Sequence, residues 1–140
     1  MNVNKLPPLV YVVDDEFVIR DSLTLFIEST GLKVRSFESA EDFLSNYGSE
    51  QPGCLVLDVT MPLMSGLELQ NELLNRGIHI PIIFISGSTE THFSKEVFRA
   101  GATDVLKKPF NNNLLLERIN EAIKRDLAFR GGGKKRLIQA

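Results

Sequence analysis

Acidic, hydroxyl and basic side chains follow four short apolar runs of the sequence, each where a run ends. Asp14 and Asp15 follow one run, Asp58 follows another, and Ser86 and Lys108 close two more. If these runs are parallel strands of one sheet, their carboxyl ends share an edge, and the five side chains converge there. Burying an unpaired carboxylate is costly, so we expect Asp58 to lie in a polar cleft.

The three carboxylates predict a site for a divalent cation. Neighbouring carboxylates repel, and each raises the pKa of the others unless a cation offsets the charge. A small site of oxygen ligands completed by water suits Mg²⁺, with Mn²⁺ as a substitute. Lysine and hydroxyl groups around the same site favour phosphoryl transfer, with Asp58 attacking in line, Lys108 neutralising charge and Ser86 donating a hydrogen bond.

Each of these residues is a weak signal by itself. Aspartate at a strand end is usually a turn former or a helix cap, and Lys-Pro pairs are common. The whole set, at the ends of four strands in this order, is the feature that favours a phosphoryl-transfer site.

The elements that position these residues are apolar runs that alternate with helical patterns. Continuous apolar runs are typical of strands buried on both faces of a parallel sheet, whereas alternation indicates a half-exposed edge strand. Five βα units in sequence predict an α/β fold with a doubly wound, five-stranded parallel sheet and right-handed crossovers. The predicted strands are Leu9–Val13, the alternating Lys33–Phe37, Cys54–Leu57, Pro81–Ser86 and Asp104–Lys108.

Helix signals fall between and after the predicted strands. Gly31 and Gly101 predict the ends of the first and fourth helices, and the fifth begins near Asn111. Ser39 and Ser65 have capping-box spacing to the acids that follow them. The predicted buried faces are Ile19, Leu23, Phe26, Ile27 and Thr30 in the first helix, Phe93, Val97 and Ala100 in the fourth, and Leu115, Ile119, Ala122 and Ile123 in the fifth.

Composition narrows the class of protein. The chain has 140 residues, a net charge of −2 and a single cysteine, Cys54, so no internal disulfide can form. Neither a membrane span nor a signal peptide is evident, and we expect a cytoplasmic protein with no membrane partner. We predict one domain over residues 1–128 and a flexible tail or linker stub over 129–140, where glycines precede three basic residues.

Several motifs resemble the receiver domain of two-component response regulators, and the likeness covers about residues 8–128. Within that family the chain is most similar to the FixJ type of the LuxR-like regulators. The receiver motifs are VVDDE (12–16), LDVTMPLMSG (57–66), FISG (84–87), GATD (101–104) and KPF (108–110); the FixJ-like ones are SFESAEDFL (36–44), GCLVLDV (53–59) and SGLELQ (65–70).

The resemblance implies a flavodoxin-like fold with strand order 2-1-3-4-5 and assigns a role to each site residue. Asp58 would be the phosphoacceptor. It would share Mg²⁺ with Asp15, with Asp14 through water, and with the backbone carbonyl of Thr60. The remaining implied features are Lys108 paired with the phosphoryl group, Ser86 moving toward it, and a cis peptide bond between Lys108 and Pro109.

The resemblance also implies partners. A sensor histidine kinase would donate the phosphoryl group, and phosphorylation would promote a homodimer through the fourth helix and fifth strand. DNA would be reached only through a C-terminal domain that this chain lacks, so the chain would be either part of a transcription regulator or a stand-alone receiver.

Departures from the family leave alternatives open. Val105 replaces the usual aromatic switch residue, Leu63 stands where glycine is common, and Thr60 and Ser88 are smaller than their usual counterparts. A phosphatase of the haloacid dehalogenase kind also uses a strand-end aspartate with Mg²⁺, but it needs a second aspartate at the position of Thr60. A pseudo-receiver that only binds a partner would have no reason to keep the complete set of site residues.

Overall fold

The computed structural model describes residues 6–48, 51–87 and 104–131. These residues form a five-stranded sheet and four helices. The strands are β1 (Leu9–Val13), β2 (Lys33–Phe37), β3 (Gly53–Asp58), β4 (Ile82–Ser86) and β5 (Asp104–Lys107), and the helices are α1 (Phe17–Ser29), α2 (Ala40–Asn46), α3 (Gly66–Asn75) and α4 (Asn112–Gly131).

All strand pairs are parallel, and the strand order is β2-β1-β3-β4-β5. Both the doubly wound α/β fold and the strand order are confirmed. The order changes direction between β1 and β3, where Val13, the last residue of β1, is in register with Leu57, the residue before Asp58 in β3. In such a sheet, ligands bind beyond the carboxyl ends of the strands where the order reverses. The acidic residues that follow β1 and end β3 therefore lie at this point.

Alternate residues of the central strands pack into two separate cores. In β3, Leu55 and Leu57 face one core with Phe43, whereas Val56 faces the other with Ile119. Each large side chain that is fully buried stabilises the fold by about 1.5–3 kcal/mol. Burial on both faces explains why the strand sequences are continuously apolar.

The helix ends follow the predicted signals. Gly31, just beyond α1, has a φ of +97°. The Ser39 hydroxyl accepts a hydrogen bond from the backbone N–H of Asp42, and Ser65 and Glu68 form a reciprocal capping box. Three strands differ from the prediction at their ends. β3 extends by one residue at each end to Gly53–Asp58, β4 begins at Ile82 rather than Pro81, and β5 ends at Lys107 rather than Lys108.

The C-terminal helix continues past residue 128, the predicted end of the domain, to Gly131. Its buried residues include the predicted Leu115, Ile119, Ala122 and Ile123. The predicted fourth helix with Gly101, the tail beyond residue 131 and Ser88 lie outside the described residues. Over the ranges that are described, no helix has the length and apolar character needed to cross a bilayer.

Candidate functional site

Three carboxylates meet at the carboxyl end of the sheet, as the sequence predicts. Asp14 follows β1, and Asp58 is the last residue of the adjacent β3; their exposed fractions are 1% and 7%. Asp15 is exposed beside them. One oxygen from each carboxylate lies within 4.8 Å of the others, a spacing that could hold one metal ion. The cluster consists of oxygen donors alone, which suits a hard cation such as Mg²⁺.

Asp14 is held by its backbone and by its side chain. Its N–H donates to the carbonyl of Phe37 (3.2 Å), and its Oδ1 accepts from the N–H of Glu16 (2.9 Å). The Arg20 guanidinium donates to the Asp14 carbonyl (2.7 Å). These contacts fix the turn between β1 and α1. Sequence reasoning missed Arg20, whose position in the first turns of a helix beside an acidic pair was the available signal.

Asp58 is fixed by the chain that follows it. Its Oδ1 accepts from the N–H of Thr60 (3.2 Å), and the Val59 N–H donates to the Ile85 carbonyl (3.0 Å). The first residue of α3, Gly66, passes so close that an added Cβ would lie 2.5 Å from the Asp58 carbonyl oxygen. Glycine is therefore required at position 66 to let α3 approach the end of β3. Its place directly after the helix-capping Ser65 was the only sequence signal.

Ser86 is the last residue of β4, and Lys108 directly follows β5. The N–H of Lys108 donates to the Ser86 carbonyl (2.8 Å), which joins the two segments directly. The Lys108–Pro109 peptide bond is cis, as predicted. Ser86 is 7% exposed. The Lys108 charge acts on both buried carboxylates by lowering their pKa values, and Lys108 thus contributes positive charge to the acidic cluster.

Burial dominates the electrostatics of the cluster. It raises the pKa of Asp58, with a further increase from the Asp14 charge, to about 6. Burial also raises the pKa of Asp14. Lys108 and the N–H groups of Thr60 and Glu16 oppose these changes without cancelling them. The negative charge of the carboxylates is therefore only partly neutralised, and a bound cation would neutralise it further.

The raised pKa of Asp58 predicts a pH-dependent effect of Asp58→Asn on stability without divalent cations. Ionised Asp58 destabilises the folded chain above its folded pKa of about 6, and this penalty disappears below its ordinary pKa of about 3.9. At pH 7.5 we expect the variant to raise the free energy of unfolding by about 1–3 kcal/mol, and at pH 4 to change it little. Urea unfolding in chelator at both pH values measures the difference.

The exposed Asp21 of α1 provides the control. Asp21→Asn removes one negative charge outside the cluster and should alter the free energy of unfolding by no more than about 0.5 kcal/mol at either pH. An Asp58→Asn effect of equal size at pH 4 and pH 7.5 would contradict the assigned cause.

The structure shows the surroundings of three residues that depart from the receiver pattern. Leu63 has a φ of +65°, a conformation that glycine adopts without strain. Its side chain is 88% exposed. Val105 is partly buried and packs against the core that contains Phe84. Thr60 is exposed next to Asp58. Val105 thus packs within the strand, at the position where the receiver domains that the sequence resembles usually have an aromatic residue.

Comparison with known proteins agrees with this geometry. The family model of the response regulator receiver domain matches residues 10–120. The solved response regulator StyR superposes with a TM-score of 0.88 at 37% identity, covering 94% of this chain and 66% of that one. The solved structure of FixJ-N gives a TM-score of 0.78 at 36% identity over 85% of this chain and 95% of that one.

Curated relatives include transcription regulators. The chain is 47% identical over 114 residues to the transcriptional regulatory protein TdiR of Thauera aromatica, covering 81% of this chain and 50% of TdiR. It is 42% identical over 123 residues to the response regulator protein TmoT of Ectopseudomonas mendocina, covering 88% of this chain and 56% of TmoT. The chain thus spans about half the length of these relatives. From the family match, the shared fold and these identities, the chain belongs to the response regulator receiver domains.

Proposed function

We propose that this receiver accepts a phosphoryl group on Asp58 from a sensor histidine kinase and changes conformation to control an output. The observation that carries the proposal is the position of the buried Asp58 carboxylate between Asp14, Asp15 and the charge of Lys108. A strand end holds the nucleophile in place, and the Lys108 charge would act, together with a bound Mg²⁺, on the charge that develops during transfer.

In this proposal Asp15, Asp58 and the backbone carbonyl of Thr60 would hold Mg²⁺ directly, and Asp14 would hold it through water. The carboxylate cluster supports the assignment, because its oxygen donors and raised pKa values favour binding of a hard divalent cation. Mg²⁺, or Mn²⁺ in its place, would offset negative charge on the phosphoryl oxygens when bound.

The protein residues carry out the remaining chemistry. A carboxylate oxygen of Asp58 attacks the phosphorus atom of the phosphohistidine, the new O–P bond forms as the P–N bond breaks, and the electron pair returns to the imidazole nitrogen. The Lys108 ammonium pairs with one phosphoryl oxygen, and the Ser86 hydroxyl donates to another. The chain thus catalyses its own phosphorylation and later hydrolysis, and it acts as a switch.

The proposed output is transcription, exerted through a DNA-binding domain outside this sequence. The name of TdiR as a transcriptional regulatory protein and the half-length coverage support this output. A stand-alone receiver in the cytoplasm is the second candidate. In either case we propose that phosphorylation promotes a homodimer. Unchanged sedimentation of the phosphorylated chain would argue against the dimer.

The experiment that tests the proposed function is phosphorylation by a small acyl phosphate with Mg²⁺. A receiver should gain one covalent phosphoryl group per chain and show no steady turnover of a generic phosphate ester. Sustained ester hydrolysis would instead support the haloacid dehalogenase alternative. Thr60 argues against that alternative, because it stands where such a phosphatase needs its second aspartate. No covalent product with either acyl phosphate or phosphorylated kinase would support a pseudo-receiver.

A further inference from the structure

The Arg20 side chain lies beside the acidic cluster but binds a backbone oxygen there. Its Nη1 donates to the carbonyl of Asp14 (2.7 Å), and its Cζ lies 5.6 Å from the centre of the Phe17 ring, where a cation–π interaction restrains it. Within residues 6–48, 51–87 and 104–131, the ion pairs are formed by other arginines. The Arg20 guanidinium therefore acts on the backbone directly after β1.

Asp15 is the member of the cluster whose side chain is held least. The carboxylates of Asp14 and Asp58 accept hydrogen bonds from the N–H groups of Glu16 and Thr60. The Asp15 carboxylate is exposed and, in the part of the chain that the structure describes, accepts no hydrogen bond. One of its oxygens nevertheless lies within 4.8 Å of an oxygen from each of the other two carboxylates. The backbone must therefore set the direction of this side chain.

The peptide group between Asp14 and Asp15 connects Arg20 to this backbone. A peptide group is planar, so the Asp14 carbonyl and the Asp15 N–H turn together. Arg20 holds the carbonyl oxygen and thereby fixes the plane next to which the Cα–Cβ bond of Asp15 projects. Because the donor is charged, this hydrogen bond is stronger than one between neutral groups, and it limits rotation of the peptide group.

We propose that Arg20 is a positioning residue of the metal site, which directs the Asp15 carboxylate toward Asp14 and Asp58. The inference rests on the proposed function only in taking Asp15 as a direct ligand of Mg²⁺. Residues that orient metal ligands from outside the coordination shell commonly change metal affinity by about 10–100-fold when they are replaced. Loss of the Arg20 donor should therefore weaken the binding of a divalent cation.

The charge of Arg20 predicts the opposite result, so the two effects can be told apart by their sign. A positive charge beside a cation site repels the cation, and its removal would by charge alone strengthen binding. Lys108 is the cation that lowers the pKa values of both buried carboxylates, whereas Arg20 directs its donor to a backbone oxygen. Weaker binding without Arg20 would therefore identify positioning as its role.

The test is titration of the intact, unphosphorylated chain with Mn²⁺, in which electron paramagnetic resonance measures the free ion. Arg20→Met keeps an unbranched side chain with an apolar stem but cannot donate a hydrogen bond. We expect it to bind Mn²⁺ about tenfold or more weakly than the parent.

Arg35→Met is the matched control. Arg35 lies on β2, outside the cluster, and it also donates to a backbone carbonyl, that of Asn46 (3.4 Å). Its Cζ likewise lies over a phenylalanine ring, 5.2 Å from the centre of Phe37. Because this variant removes the same charge and the same kinds of contact away from the metal site, it should bind Mn²⁺ within about twofold of the parent.

A double-mutant cycle tests whether Arg20 acts through Asp15. If it does, Arg20→Met should weaken Mn²⁺ binding by less than about twofold in an Asp15→Asn background, because the ligand that Arg20 directs is already lost. An equal loss in both backgrounds would overturn the proposal by showing that Arg20 supports the fold in general.

The remaining outcomes separate this inference from the proposed function. Binding of Mn²⁺ by Arg20→Met that is as tight as in the parent, or tighter, would overturn the role of Arg20 and leave the metal site intact. No saturable binding by the parent would refute the metal site and this inference with it. Phosphorylation is measured separately, so a parent that binds Mn²⁺ without gaining a phosphoryl group would contradict the proposed function and not the role of Arg20.

Discussion

Asp58→Asn abolishes phosphorylation of the chain if Asp58 is the phosphoacceptor. With Mg²⁺ and acetyl phosphate, or with a phosphorylated histidine kinase, the parent should gain about 80 Da, the mass of one phosphoryl group, and the variant should gain none. The amide is a poor nucleophile in place of the carboxylate, and the neighbouring Asp14 and Asp15 are assigned to the metal. Intact-protein mass spectrometry measures the result directly.

Asp21→Asn is the matched control, because Asp21 is an exposed aspartate on α1 outside the cluster. This variant should be labelled as fully as the parent. Phosphoryl transfer to Asp58→Asn at another residue would refute the assignment of Asp58. Circular dichroism of both variants verifies that each is folded before labelling.

Gly53→Ala should be the most destabilising single-methyl addition in the described part of the sheet. A Cβ at position 53 would lie 1.9 Å from the carbonyl oxygen of Leu9, and both backbones belong to the buried β1–β3 pair. Relief requires these central strands to separate, which also disturbs the hydrogen bond from the Gly53 N–H to Asp126. We expect a loss of about 3 kcal/mol or more in the free energy of unfolding, measured in urea.

Gly48→Ala is the comparison for this effect. Gly48 is exposed, and an added Cβ would have no atom within 4 Å. Its free energy of unfolding should remain within about 0.5 kcal/mol of that of the parent. If the Gly53→Ala protein were as stable as the Gly48→Ala protein, β1 and β3 could accommodate the methyl group. That result would contradict the steric clash expected from the short distance between their backbones.

The sequence predicts those parts of the fold and site that depend on local patterns. Leu9–Val13 has the same bounds in the structure because an apolar run ends in charged residues. Asp14, Asp58 and Ser86 could be placed at one edge because parallel strands share a direction, and the sheet confirms this placement. The chemical roles of these residues remain predictions.

Features that depend on remote contacts could not be predicted. From the sequence, Asp126 looks like one more polar residue of an amphipathic helix. In the structure it is 2% exposed and accepts a hydrogen bond from the N–H of Gly53, 73 residues away in the sequence. Gly53 reads as a turn residue before a strand, and its requirement for glycine comes from the backbone of Leu9. Likewise, Gln70 lies on a helix whose pattern does not reveal which polar residue is buried.

The hydrogen bond between the Asp126 carboxylate and the Gly53 N–H also affects the choice of the junction when receivers are exchanged between proteins. The family match ends at residue 120, so a chimera joined there would replace Asp126 and Arg130 by residues of the host. The start of β3 would then lose the acceptor of its first N–H, and Asp58 stands at the other end of the same strand. A graft intended to transmit signals from this receiver should keep the native helix through Gly131.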